Sequence, residues 1–473
     1  MTSIHEALED PNPARLKSWI GTRAGRLATA LLTVELIAGM QSFMHAIIAP
    51  QIAQDLSAVT YFGLMYSAVL ASSFVTLPWG PKLLARFGVP TLMTYMTLLN
   101  AVGAIVSAAS PSIGVFLLGR FLAGLSVGVL ATASMSAVVQ HLPKRWRQLV
   151  LATFSGTYII SSFIGPAYAA AVAHAFNWRI AMILYLPALF AARFVISKNV
   201  APSDKVINTG STPPAFVAVA MPIAALFLSL SLEILGQFAW AGLLLGAVLL
   251  VGSAVRVLPQ GTFTLKRGRP RAVLVFFLLT GAYFAVDFSI PLALQTVLAS
   301  DVTQVALVVS VGGLAWAIVG FACGRRPASY GPVYRRRTST GTVLLSIGFG
   351  SIALDLLVWH GYWGVLIGWT VASIGMGLTY LDTMNSIFTP PDVDDGLDDS
   401  DAVSAVALSE PMSAVLFATP FLAIAGFLVA EERPNYIGYM ISGTVVLAAF
   451  LIAIVRPAGD NLPTGFPCGS KQQ

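Results

Sequence analysis

The chain has 473 residues, 56% of them hydrophobic and only 10% charged, with a formal net charge of +6. A soluble domain carries about 25% charged residues, so this chain lacks the polar surface to stay in water. Its apolar runs are continuous, which excludes the alternating strands of a membrane barrel and leaves helices, whose backbone groups are satisfied within each segment.

Each run is roughly 18 or more residues long, enough to span a hydrocarbon core about 30 Å thick. Residues 1–26 are polar, with no apolar core or small-residue cleavage site, so they are expected to be a cytoplasmic N-terminal segment and not a signal peptide. Six spans follow, at 27–49, 60–80, 91–109, 113–138, 149–172 and 180–197, forming a first bundle over 27–197. A polar linker covers 198–214, and two additional spans, 215–235 and 239–258, occupy 215–258. A basic cytoplasmic loop, 259–271, leads to six more spans at 272–295, 303–323, 338–358, 362–381, 404–429 and 435–456, forming a second bundle over 272–456. Residues 457–473 are a cytoplasmic tail. The expected fold is therefore an all-α membrane protein of fourteen helices, two six-helix bundles with two extra helices between them.

Basic residues test this count, because cytoplasmic loops are enriched in Lys and Arg. With the N-terminus inside, 24 of the 27 Lys and Arg residues fall on inner segments, Arg193 and the Arg335–Arg337 run among them. Arg179 and Arg433 fall outside, and Arg120 lies within a span. Adding or dropping one span would invert the downstream half. The net charge is thus a topology signal, and no nucleic-acid partner is expected. Cys323 and Cys468 show no metal or disulfide spacing. The aspartate-rich segment "TPPDVDDGLDDSD", residues 389–401, reads as a solvated linker, or as an acidic surface that docks on the basic loops.

Two eight-residue segments, "PKLLARFG" (81–88) and "GRRPASYG" (324–331), sit at corresponding span ends of the two bundles. A duplicated half is the sort of repeat from which many secondary transporters are built. These segments resemble the loop motif of the major facilitator superfamily, with Arg86, Gly88 and Gly331 at gating positions, and the fourteen-span drug:proton antiporter branch in particular. In order along the chain, "APQIAQDL" (49–56) resembles the family's proline-capped exit from span one, and "GRFLAGLSVG" (119–128) its fourth-span motif with Arg120. "GTYIISSFIGP" (156–166) resembles a degenerate fifth-span antiporter motif, ending in the gating pair Gly165 and Pro166, while "NWRIAMILYLP" (177–187) and "IPLALQTVLA" (290–299) resemble the sixth and ninth spans. The sequence departs from the family at Ala85 and Ala328, where aspartate is usual, and at Gln41, where span one usually carries an aspartate. Gly124 and Gly128, four apart, leave a small-residue face for close helix approach.

A charge near the bilayer centre is costly, so membrane ionisable groups face the bundle interior and usually work. Asp287 lies about 6 Å from the midpoint of its span and Glu35 about 5 Å from its own, taking 1.5 Å per residue; Glu410, beside Pro411, and Arg120 lie about 9 Å from theirs. Glu233, Asp355 and Asp382 are closer to span ends and are expected to reach water. A carboxylate poised between desolvation and a nearby arginine can load and release a proton as its exposure changes. Asp287 is therefore the leading proton carrier, with Glu35, Arg120 and Glu410 as further coupling residues. Tyr283, Phe284 and Pro291 share the helix face of Asp287 and would line an apolar site. Gln41 and His45, four apart, share a face of span one, and with Gln295 they complete the expected substrate-binding set.

The sequence carries no nucleotide, metal or nucleophile–base motif, so no enzyme activity and no cofactor other than a proton gradient is expected. The resemblance implies a monomer in the cell membrane (plasma or inner), both termini cytoplasmic, exporting small lipophilic or amphipathic molecules in exchange for protons. Two alternatives stand beside it: a carrier for one defined metabolite or lipid, and a receptor or scaffold that has lost transport.

Overall fold

The structure, a computed structural model, describes residues 22–76, 79–141, 144–199, 216–234, 238–326, 331–389 and 399–458, with Ala328, Leu397 and Leu462 besides. The expected linker and both terminal segments lie almost wholly outside this set, as does most of the aspartate-rich segment. Among the described residues the regular structure is helical throughout.

The first half contains α1 (Arg23–Asp55), α2 (Phe62–Thr76), α3 (Gly80–Ala108), α4 (Ile113–His141), α5 (Lys144–Ala175) and α6 (Leu186–Asn199). Then come α7 (Val217–Ile234) and α8 (Ala239–Val257). The second half contains α9 (Arg269–Thr296), α10 (Val302–Arg325), α11 (Gly331–Leu354), α12 (Tyr362–Phe388), α13 (Asp399–Ala430) and α14 (Tyr436–Ala458). Helix starts are capped where side chains allow it. Thr22 accepts from the Gly25 amide at the start of α1, and Asp301 and Gln304 exchange hydrogen bonds in a capping box on α10.

Twelve of the described helical segments are long and apolar enough to cross a membrane. α5 and α7 are not among them; within α7, Val219–Leu232 is apolar but shorter. Most of the twelve leave a broad apolar face uncovered. Leu98, Val102 and Ile105 make such a stripe on α3, and Leu244, Val248 and Val255 another on α8. In water these faces would drive association; in a bilayer they meet lipid. α9 differs. It is buried along 83% of its most apolar stretch, against 33–56% for the other eleven, so protein surrounds it on nearly every side.

The two halves pack alike, helix for helix. In the first, α1 packs on α5 and α6, α2 on α4, and α3 on α4 and α6. In the second, α9 packs on α13 and α14, α10 on α12, and α11 on α12 and α14. Adding eight to each helix number turns one set into the other. The contacts between halves obey the same relation: α5 meets α10 and α2 meets α13, pairs that the exchange interconverts, while α1 meets α9. The repeat suggested by two short segments therefore extends through the packing. α7 and α8 break the symmetry, because α7 rests on α2 and α13 and α8 on α13.

Glycines make the closest crossings. A Cβ on Gly103 of α3 would lie 2.6 Å from the Gly119 carbonyl of α4, and one on Gly348 of α11 would lie 2.5 Å from the Gly368 carbonyl of α12, which is the same crossing in the other half. Gly124 and Gly128 pack against α2 at Val69 and Ser73, and Thr76 of α2 adds a hydrogen bond of 2.9 Å to the Leu125 carbonyl. The small-residue face read in the fourth span is thus a packing surface.

Candidate functional site

A cavity of about 480 Å³ opens within the first half, walled by α1, α2, α3, α4 and α6, with Phe288 of α9 from the other half. Glu35, Gln41 and His45 reach it from α1, Asn100 from α3, Arg120 from α4 and Arg193 from α6. The structure therefore brings together four of the residues singled out in the sequence, namely Glu35, Gln41, His45 and Arg120.

His45 and Arg120 form the polar centre. The His45 Nδ1 lies 2.6 Å from the Gln41 carbonyl oxygen and its Nε2 2.7 Å from Arg120 Nη1. A carbonyl oxygen only accepts and a guanidinium only donates. Nδ1 therefore carries the proton and Nε2 accepts from Arg120, so the imidazole is held neutral in one tautomer. The described partner of Arg120 is thus a histidine and not a carboxylate.

Arg193, counted with the basic residues of the inner side and already within the expected sixth span, is buried in the structure. α6 continues to Asn199, placing Arg193 well inside the helix, only 8% exposed. Its Nε and Nη1 are buried with no hydrogen-bond partner. Arg193 also lines a second cavity of about 440 Å³ between α3 and α6, beside Leu98 and Phe194, which face outward. Glu35 lines the first cavity as an accessible side chain and makes no ion pair with Arg193 among the described residues.

Asp287 sits on the enclosed helix α9, partly buried, one residue before the cavity-lining Phe288. Among the described residues it has no hydrogen bond or ion pair. An aromatic chain runs past it. Tyr66 of α2 stacks on Phe288 at 5.0 Å, Phe288 on Phe284 at 5.6 Å, and Tyr283 on Trp369 at 4.9 Å, with Trp316 edge-on to Tyr283 at 5.3 Å. Tyr283 and Phe284 are buried inside this cluster, and Tyr283 is tied to Ser373 by a hydroxyl contact of 3.0 Å. The aromatic residue of α9 that reaches the cavity is Phe288, which the sequence reading passed over. Gln295 is near the far end of α9, its Nε2 buried and unbonded. Glu410 on α13 accepts a 2.7 Å hydrogen bond from Tyr380, which packs on Trp316 and Phe276. It too stands apart from the cavity.

The gating positions are spread out. Gly88 interrupts α3 with φ 72° and ψ 164°, and nothing lies within 4 Å of where its Cβ would be. Backbone conformation, not crowding, requires glycine there. Arg86 is exposed and lies over the Phe87 ring, 5.5 Å from its centre. Gly165 lets α5 approach α1, where a Cβ would come 2.7 Å from that of Phe43, and the helix runs on through Pro166. Gly331 opens α11 beside a lock that sequence reading missed. Asp382 of α12 is 2% exposed, paired with Arg337 Nη1 at 2.9 Å, and accepts from the Ala328 amide at 3.1 Å, while Arg337 also donates to the Arg326 carbonyl at 3.0 Å. The second copy of the loop motif is thereby clamped to α12.

Asp382 is thus not a wet interface residue; Asp355 packs against Gly364 where α11 passes into a single π turn, with only its Oδ2 enclosed. The side chain of Glu233 lies outside the described residues. At the start of α9, Arg269 is buried and donates to the Leu397 carbonyl within the aspartate-rich segment. Removing one partner of a buried ion pair strands the other, so Arg337→Met is expected to destabilise the protein by about 3–5 kcal/mol. Thermal unfolding in detergent checks this, and an unchanged midpoint would show that the clamp contributes nothing.

Two equivalent helical halves thus hold a largely apolar cavity, set mainly in the first half, with ionisable groups at its wall. A match to the Major Facilitator Superfamily covers residues 31–393, and the chain belongs to that family. It is 26% identical to the efflux pump roqT of Penicillium rubens over 68% of this chain, 26% identical to the efflux pump aunC of Aspergillus niger over 69%, and 24% identical to the acurin A biosynthesis cluster MFS-type transporter of Aspergillus aculeatus over 76%. These matches span 63%, 66% and 67% of the relatives' own lengths. Among solved structures, a peptide transporter POT in complex with sulfate shares the fold with a TM-score of 0.65 at 16% identity, over 92% of this chain and 95% of that one.

Proposed function

We propose that this protein is a fourteen-span, proton-coupled secondary transporter that exports small lipophilic or amphipathic compounds by alternating access. One observation carries the reading: a largely apolar cavity with ionisable groups at its wall, beside the seam of two equivalent halves, with the unpartnered carboxylate of Asp287 one residue from that wall. A carboxylate with no fixed counter-ion can be neutralised by a proton, and a seam between two bundles can rock open on either side. Efflux by the relatives supports the direction. On this reading the protein acts as a monomer in the cell membrane, uses the proton gradient and no cofactor, and keeps both termini in the cytoplasm.

The contacts at the seam fit this reading. Near the start of α2 and the end of α13 the halves close tightly. A Cβ on Gly63 would come within 2.7 Å of the Thr419 carbonyl, and Gly426 is pressed against Val59 in the same way. In the fourteen-span topology this is the outer end, so the conformation is sealed outward, as required to load from the cytoplasm.

Two experiments bear on the reading. With Cys323 and Cys468 replaced by serine, a cysteine at Phe238 is expected to react with an impermeant thiol reagent in intact cells, and one at Arg267 is not. Labelling of both, or the reverse pattern, would contradict the placement of α7 and α8 as a membrane-crossing pair. For export, cells lacking their own efflux pumps are expected to accumulate less of a panel of fluorescent amphipathic dyes when they express the protein, and a protonophore should erase the difference. Equal accumulation in expressing and control cells would sink the proposal.

A further inference from the structure

Arg193 is not among the proposed coupling residues, yet among the described residues two of its buried donors are unsatisfied. Its side chain is more than nine-tenths buried, two of its three nitrogens have no partner, and it forms wall in both cavities. Buried guanidinium groups are normally paired with a carboxylate, phosphate or carbonyl. Among the described residues the carboxylate of Glu35, on the same cavity wall, acts on Arg193 through space but makes no ion pair or hydrogen bond with it, so the guanidinium keeps unused donors.

The other charged groups of the cavity do not remove the demand. Arg120 and Arg193 contribute two positive charges, Glu35 at most one negative, and His45 is neutral in its hydrogen-bonded tautomer. The lining is therefore net positive. A second orphan adds a further preference. Asn100 donates through Nδ2 to Ser126 Oγ at 3.2 Å, and that hydroxyl donates to the Ala123 carbonyl, so the amide orientation is fixed and its buried Oδ1 is left as a free acceptor. Apolar walls such as Val34, Leu70 and Phe288 complete the site.

We propose that Arg193 anchors the acid group of an anionic amphipathic substrate, with the apolar body of that substrate in the cavity and a hydroxyl or N–H of it able to meet Asn100. The proposal rests on the transporter reading and narrows its substrate class. The guanidinium fork matches a carboxylate in a bidentate fashion. Because Arg193 is shared with the cavity between α3 and α6, which opens sideways beside the exposed apolar residues Leu98 and Phe194, the same acid group could belong to a dissolved compound or to an anionic lipid.

The full-length protein, purified in neutral detergent, provides the test through its melting temperature. 6-Hydroxy-2-naphthoate is expected to raise it, while the matched carboxamide binds about ten-fold more weakly or worse, as loss of a charge-assisted hydrogen bond implies. Arg193→Gln should erase the preference for the acid, and Arg193→Lys should restore part of it. If added phosphatidylglycerol stabilises the wild type but not Arg193→Gln and displaces the naphthoate, the acid group is a lipid's; if it has no effect, the acid group belongs to a dissolved substrate. Equal stabilisation by acid and amide, no stabilisation by the acid or the lipid, or an acid preference surviving in Arg193→Gln would overturn the proposal. Binding in detergent needs no gradient, so such a failure alongside intact dye export would leave the transporter reading standing.

Discussion

Asp287→Asn is expected to reduce uphill transport driven by a pH gradient to background in proteoliposomes, while exchange down a substrate gradient persists. Asparagine keeps the size of the acid and removes only its titration. The carboxylate has no described hydrogen bond or ion pair to lose, so the fold has no reason to fail. α9 lies at the centre of the molecule, where a change in the seam between halves alters what surrounds this side chain. Glu35 is accessible within the cavity, and Glu410 is already held by Tyr380, so neither combines enclosure with freedom from partners in the way Asp287 does. Glu35→Gln should therefore have the milder effect. Full pH-driven flux in Asp287→Asn would make that carboxylate structural and pass the coupling role to Glu35 or Glu410.

The second large effect concerns packing. Gly348→Ala should destabilise the protein by about 1–3 kcal/mol, the usual range for overfilling a packed contact. Its Cβ would lie 2.5 Å from both the Ala372 amide nitrogen and the Gly368 carbonyl oxygen, and backbone atoms cannot rotate away. Gly350, two residues along the same helix, has nothing within 4 Å of its Cβ position. Gly350→Ala should be neutral or slightly stabilising, since alanine is the better helix former. Melting temperatures of the two variants in detergent decide the matter. Equal losses would show that general helix strain, not the α11–α12 crossing, is responsible.

Much of the frame is legible in the sequence because length and apolar content suffice to mark a membrane helix. The segments ending in Gly88 and Gly331 point to a repeat, and Gly124 and Gly128 mark a packing face by spacing alone. The site is less legible, because its chemistry depends on which helices meet. Near the inner end of the expected sixth span Arg193 looks like a topology signal; only the packing of α6 on α3 and α1 shows that it is buried. Arg337 and Asp382 are 45 residues apart, and His45 and Arg120 are 75 apart, so no local pattern announces either pair. Sharing a helix face with Asp287 suggested a lining role for Tyr283, but rings from α10 and α12 enclose it and leave Phe288 at the cavity.

The most direct test of coupled transport uses the purified wild-type protein in proteoliposomes. Uptake of a panel of amphipathic aromatic compounds is followed with an imposed pH gradient, without one, and with a protonophore. Accumulation of at least one compound above its equilibrium level, dependent on the gradient and abolished by the protonophore, is the expected result. If every compound moves equally with and without the gradient, or none moves at all, the protein is not a proton-coupled transporter of this class.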